Sequence, residues 1–266
     1  MAINLTLVFQ NVEIYFMITN NSSRAAIRTL DLFEMFATTG TPHSLSDLAR
    51  LIDVPVSTCH GLVKTLQAKG YLYSIGNPRR LYPTKRIFGI AKNIADQDAI
   101  VEYVTPSLAT LRDATGETII LGKRQGHEIV YLEVVEGVSV IRYSARPGDL
   151  KPLHSSAIGK LILGNLSEGE LRELLATLAL TQITENTITN HDCLLAELSE
   201  SRKQGYYITR GENVSEVIAI AAPVQLSGET FGIAVAGPEG RMSKALDTNR
   251  NALISCCREI EAAFIG

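Results

Sequence analysis

A chain of 266 residues that is 45% hydrophobic and 20% charged can bury a good core and is expected to form two domains rather than one. Its net charge of −3 hides an asymmetry, because residues 1 to 92 carry ten Lys/Arg against five Asp/Glu while the remainder carries fifteen against twenty-three. The first part is therefore the candidate nucleic-acid binder. Four cysteines, Cys59, Cys193, Cys256 and Cys257, have no spacing suited to zinc or to a disulfide framework, which places the chain in a reducing, cytoplasmic compartment.

The opening stretch MAINLTLVFQNVEIYFMITN is apolar, but its first basic residue is Arg24 and Gln10, Asn11 and Glu13 interrupt it. It fits neither a signal peptide nor a bilayer span, and no membrane partner is expected. Met17 is the expected physiological start, which would leave a short polar arm before the first helix.

Ser22 or Ser23 can cap a helix running to about Ala37, with Ala26, Ile27, Leu30, Phe33, Met35 and Phe36 as its buried stripe. Gly40-Thr41-Pro42 ends it. Ser44 then caps a short helix with Leu45, Leu48, Ala49 and Ile52 at helical spacing, and Asp53-Val54-Pro55 breaks it. A second helix starts at Pro55 or Val56 and stops at Gly70. Its period buries Val56, Cys59, Leu62, Val63 and Leu66 and turns Ser57, Thr58, His60, Gly61 and Lys64 outward. This is a helix-turn-helix pattern, and small polar groups followed by a lysine suit a major groove. A solvated helical hairpin would show the same period, so charge has to separate the two. From Val54 to Ala95 there is no acidic residue, whereas Lys64, Lys69, Arg79, Arg80, Lys85, Arg86 and Lys92 all fall there, as a phosphate-facing surface requires.

YLYSIGNPRRLYP follows as two short strands around a Gly-Asn-Pro turn, the pattern of a wing, with Arg79 and Arg80 placed to reach phosphate or the minor groove. The candidate DNA contacts are Ser44, Ser57, Thr58, His60, Lys64, Arg79 and Arg80. A linker helix is expected over about 84 to 96 and a further helix over 101 to 115, closed by Gly116. Beyond it, TIILGKR, HEIVYLEVVE and VSVIRYSA read as strands and SAIGKLILG as a helix. Two helices lie within 167 to 204, then YYITRGE, VIAIAAPVQL and FGIAVAGP as strands and a last helix from 243 to 264, where Cys256 and Cys257 are expected to pack. Hairpin strands with helices on one side make an α+β sensory domain.

SSRAAIRTLDLF, LSDLARLIDVPVSTCHGLVKTL, LRDATGETIIL, RPGDLKPLHSSAIGKLIL, KQGYYITRGEN, IAIAAPV and FGIAVAGP occur in this order across nearly all of 22 to 264. Together they make the chain resemble an IclR-family bacterial transcriptional regulator. The resemblance implies an N-terminal winged helix-turn-helix over residues 22 to 83, a linker helix over 84 to 98 and a GAF-like effector-binding domain over 99 to 266, after a poorly defined extension over 1 to 21. It also implies operator DNA and a small organic acid as partners, and homodimers that pair into tetramers. Two departures stand out: Val56 and Gly61 occupy positions where the family usually carries Lys and Arg, and Leu81-Tyr82-Pro83-Thr84 replaces the familiar Tyr-x-Leu-Gly of the wing. An unusual operator is expected.

His154 to Lys160 places a helix N-terminus beside a strand end, where free N–H groups and the helix dipole favour a carboxylate. By resemblance, Ala157 and Ile158 supply pocket backbone, and Thr209, Ala219, Ala234 and Ala236 form its wall. Three alanines among these four make the expected pocket apolar and wide. The expected ligand is an organic acid with an apolar or aromatic body, its carboxylate on Ser155, Ser156, Ala157 and Ile158, with Lys151 as a charged partner. The alternative is a glycine-containing helix start that merely packs tightly on the sheet.

An enzyme is the rival class. There is no Gly-x-Ser-x-Gly elbow, phosphate loop or dinucleotide fingerprint, and His43, His60, His127, His154 and His191 lie in dissimilar contexts. No catalytic residue, cofactor or metal is expected, and His154 is expected to hold its strand-helix turn by a ring hydrogen bond. A regulator that senses a protein partner is the third possibility.

Overall fold

The computed structural model describes residues 22 to 264, so the apolar opening stretch and the choice of Met17 as start lie outside the described residues. The chain divides into two compact units between Gln97 and Asp98.

In the first unit, α1 (Arg24–Thr39) is capped by Ser23 and ended by Gly40 in the left-handed conformation. Its buried side chains are Leu32 and Phe36, whereas Leu30, expected inside, is exposed. The stripe is rotated from the expected one because Phe33 and Met35 flank the core and Leu32 fills its centre. α2 (Leu45–Leu51) opens with a reciprocal cap between Ser44 and Asp47. α3 (Val56–Ala68) follows Pro55 and buries Cys59, Val63 and Leu66 at steps of four and three. Val56, read as buried, is 51% exposed, since the core ends one turn further along. Strands β1 (Leu72–Ile75) and β2 (Arg80–Pro83) pair antiparallel from Leu72 opposite Pro83 to Ile75 opposite Arg80. Reciprocal backbone bonds between His43 and Leu81 (3.1 and 2.8 Å) tie this hairpin to the start of α2. α4 (Arg86–Ala95) buries no side chain.

The second unit begins with α5 (Ala99–Thr115), capped by Asp98 and closed by Gly116. Its sheet is wholly antiparallel and contains β3 (Thr118–Gln125), β4 (Glu128–Val135), β5 (Leu150–Pro152), β6 (Tyr207–Arg210), β7 (Val217–Leu226) and β8 (Glu229–Pro238), in the spatial order β5-β4-β3-β8-β7-β6. The remaining helices are α6 (Ala157–Asn165), α7 (Glu168–Leu175), α8 (His191–Gln204), the short α9 (Glu239–Met242) and α10 (Leu246–Ala263). Alternation along the strands sends Ile119, Leu121, Ile218, Ile220 and Val235 to one face beneath α5 and α10, and Ile120, Ala221, Ala234 and Ala236 to the other beneath α6 and α8. Helices therefore cover both faces, not one as expected, because the long central strands are apolar on both sides.

VSVIRYSA does not form the expected strand. The free edge of β4 is taken by β5 and by Gly148 and Asp149, which exchange backbone bonds with Tyr131. The segment is held instead by side chains: the Gly137 amide donates to Thr118 Oγ1, which donates to the Tyr143 carbonyl, while Glu136 binds Arg142 and Ser144. Val138, Val140 and Ile141 are left exposed. Among the described residues no helix is long and apolar enough to cross a membrane.

Candidate functional site

The outward face of α3 is as the period requires: Ser57, His60, Gly61 and Lys64 are exposed and Thr58 is half-buried. Ser44 is already occupied, its Oγ accepting from the Asp47 amide (3.1 Å) and donating to Asp47 Oδ2 (2.7 Å). That contact holds the Asp47 carboxyl below the usual range and fixes the start of α2. In the hairpin, Arg79 Nε donates to Ser74 Oγ (2.8 Å) and its Nη2 to Gln67 Oε1 (3.3 Å), so the guanidinium is drawn toward the end of α3. Arg80 Nη1 donates to the Pro42 carbonyl (3.3 Å). Both arginines remain exposed and lie in the interval without acidic residues.

In the second unit a small cavity of about 30 Å³, narrower than the wide pocket expected, lies between the alanine-rich face of the sheet and the start of α6. Its floor is one row of register partners, Thr209 opposite Ala219 and Ala219 opposite Ala236, with Ala234 and Ile120 beside them. Ser156, Ala157 and Ile158 form the helix side. Ser156 Oγ caps the helix, accepting from the Gly159 amide (3.2 Å) and donating to the Pro152 carbonyl (2.7 Å). The first two helical amides, Ala157 and Ile158, precede the point at which intrahelical bonding begins, so they keep donors for a ligand.

Seven of the nine sequence-predicted pocket residues thus line one cavity, and two do not. Ser155 is fully buried, its Oγ accepting from Asn213 Nδ2 (3.1 Å). Lys151 stands on β5, 3.9 Å from Asp149 and over the Tyr131 ring. The expectation of tight packing is also met at Gly159, where a Cβ would fall 2.2 Å from the Leu153 carbonyl oxygen. A helix start can pack closely at Gly159 and still present the amides of the two residues before it.

Tyr131, Tyr143 and Asn213 complete the lining. Burial pushes both tyrosine hydroxyls up, so each remains a neutral donor and acceptor at physiological pH. Tyr131 was legible as an inward position in the alternation of HEIVYLEVVE, one step from Ile129. Tyr143 lay in the stretch misread as a strand, and Asn213 in a loop without periodicity.

Within α6, Lys160 is fully buried and donates to Glu197 (2.5 Å) and Glu212 (2.6 Å). Burial pushes the Glu212 carboxyl up against the pull of Lys160, and its Oε2 has no partner among the described residues. A single lysine within the apolar run AIGKLIL was the sequence signal for such a network, since a buried ammonium needs counter-charges. His154 makes a ring hydrogen bond, its Nε2 donating to the Thr181 carbonyl 27 residues along the chain (2.9 Å). Cys256 and Cys257 are packed under the other sheet face, and burial pushes the Cys256 thiol up to about 11 and that of Cys257 further.

Comparison with known proteins places both units. Residues 25–76 match the family model of the IclR helix-turn-helix domain and residues 92–262 that of the bacterial transcriptional regulator IclR C-terminal domain. The chain is 32% identical over 227 residues to the probable transcriptional regulator SauR of Cupriavidus necator, covering 85% of this chain and 90% of that protein. It is 32% identical over 240 residues to the regulator BhcR of Paracoccus denitrificans, covering 89% and 86%. Among solved structures, the IclR protein of Thermotoga maritima superposes with a TM-score of 0.72 at 25% identity, covering 89% of this chain and 98% of that one. An IclR homologue from Microbacterium hydrocarbonoxydans, solved with 4-hydroxybenzoate, shares the fold with a TM-score of 0.71 at 21% identity, covering 90% and 98%. With a helix-turn-helix unit, a two-faced antiparallel sheet unit and family matches over both, the chain belongs to the IclR family of DNA-binding bacterial transcriptional regulators.

Proposed function

We propose that this regulator binds its operator through residues 22 to 83, with 84 to 98 as linker helix and 99 to 266 as effector domain, and that a small organic acid with an apolar or aromatic body modulates that binding. Ser57, Thr58, His60 and Lys64 face the major groove, and Arg79 and Arg80 contact phosphate or the minor groove, with Ser44 orienting α2. The working form is a cytoplasmic homodimer that pairs into a tetramer.

The observation that carries the effector reading is the convergence of two unlike surfaces on one cavity. The alanine floor offers apolar contact to a hydrocarbon body, and the Ala157 and Ile158 amides at the start of α6 offer donors to a carboxylate. Ser156, Thr209 and Asn213 add neutral polar groups around it. The 4-hydroxybenzoate of the Microbacterium homologue is an acid of this makeup. Lys151, held by Asp149 and Tyr131, serves this reading as a screened charge rather than a direct partner.

The test is binding of the purified protein to its own upstream intergenic DNA at two salt concentrations, with and without a panel of aliphatic and aromatic acids. Salt-steep, sequence-selective binding that one acid alters supports the reading. Selective binding that no acid alters, together with no acid raising the melting temperature, rejects the effector half.

A further inference from the structure

Gly61 occupies the middle of α3, where glycine is the least favourable residue apart from proline, and nothing inside the protein calls for it. Its backbone is not left-handed, and a Cβ built there would have no neighbour within 4 Å. Other glycines of the chain are explained internally: Gly70 and Gly76 have positive φ, and a Cβ at Gly159, Gly164 or Gly232 would collide with its neighbours. Gly89, Gly169 and Gly240 are equally open, but Gly89 belongs to α4, which buries nothing, and the other two lie in the first turns of α7 and α9 rather than in a helix middle.

Position on the helix separates Gly61 from a chance vacancy. At about 100° per residue, Ser57, Gly61 and Lys64 fall within about 60° of one another and opposite the buried Cys59, Val63 and Leu66. Gly61 is thus on the line of α3 farthest from the core, flanked by a hydroxyl one turn before and an ammonium one turn after. A helix laid in a groove by that line would touch down at Gly61, and the missing side chain sets how deep it can go.

We propose that Gly61 is the point at which the α3 backbone rests against base-pair edges on the floor of the major groove, so that the centre of each half-site is selected by closeness of fit and any Cβ is excluded. The proposal rests on reading α3 as the groove-bound helix. Ser57 and Lys64 then straddle this contact, and the bases opposite Gly61 are read by van der Waals fit rather than by a bidentate side chain.

The experiment starts from an operator selected out of a random duplex library by the wild-type full-length protein. Affinity for that operator and for a random duplex, and the melting temperature, are then measured for wild type, Gly61→Ala and Gly61→Leu. The expected result is a melting temperature for Gly61→Ala that is unchanged or a few degrees higher, operator binding at least tenfold weaker, and random-duplex binding within threefold of wild type. Gly61→Leu should lose more. Operator binding by Gly61→Ala within threefold of wild type overturns the proposal while leaving the DNA-binding reading of α3 intact. A wild-type selection that enriches no sequence removes that reading and the proposal with it.

Discussion

Lys160 shows what one residue can contribute to the second unit without lining the cavity. Its ammonium is out of water entirely and is held by two carboxylates that reach it from α8 and from the loop after β6. Removing it leaves Glu212 buried without a cation, so Lys160→Met is expected to destabilise the second unit by about 3 to 5 kcal/mol in denaturant unfolding. Glu212→Gln together with Lys160→Met should recover part of that loss, since the stranded charge goes with it. His154, 1% exposed, makes the stability of this unit depend on pH. Burial holds its pKa below the ordinary value, with Lys160 adding repulsion and the Thr181 bond opposing them. A depressed folded pKa means that its stabilising contribution is present above about pH 6.5 and is lost as pH falls toward the folded value. Chemical denaturation between pH 7 and 5 should therefore show stability dropping by up to about 1.4 kcal/mol per pH unit in the wild type, with a shallower drop in His154→Gln.

The wing hairpin is short, and its geometry depends on partners outside it. Four residue pairs join β1 to β2, and the His43 bridge gives Leu81 a second backbone partner opposite Ser74. Ser74, Gln67 and Arg79 connect the hairpin to the last turn of α3, so the exposed charges of the hairpin and of α3 are held together. Replacing Arg79 and Arg80 by alanine should weaken operator and random DNA alike and lower the slope of log affinity against log salt by about 2, as expected for two lost phosphate contacts. Titrations at three salt concentrations measure this, and an unchanged slope would remove both arginines from the interface. The segment from Val138 to Ala145 illustrates the limit of local reading at this scale. Its β-prone residues are real, but β5 occupies the edge that they would need.

Each compact unit has its own core: Leu32, Leu48, Cys59 and Val63 in the first, and the two clusters on either side of the sheet in the second. Residues 98 to 266, expressed alone, are expected to unfold in one cooperative calorimetric transition, to bind the acid that the full chain binds, and to have no affinity for DNA. Loss of acid binding in that fragment would mean that the cavity needs the first unit.

The pocket-wall positions were expected only from the family resemblance, whereas the winged helix-turn-helix, the capping serine of α2 and the basic interval were legible in the residues themselves. Each depends on short-range rules: caps lie within three residues of what they bond, helical and strand periods sort inside from outside, and charge is read directly. What the tertiary structure decided depends on distant neighbours. Which edge β4 offered determined that Leu150–Pro152 and not Val138–Ala145 became a strand. Apolar residues on both sides of β3, β7 and β8 placed helices on both faces of the sheet. Lys160 met Glu197 and Glu212, and Ser155 met Asn213, across 37 to 58 residues of chain. Lys151 turned to Asp149 and Tyr131 instead of the cavity. Local periodicity determines which way a side chain faces, but only the assembled fold determines what it meets there.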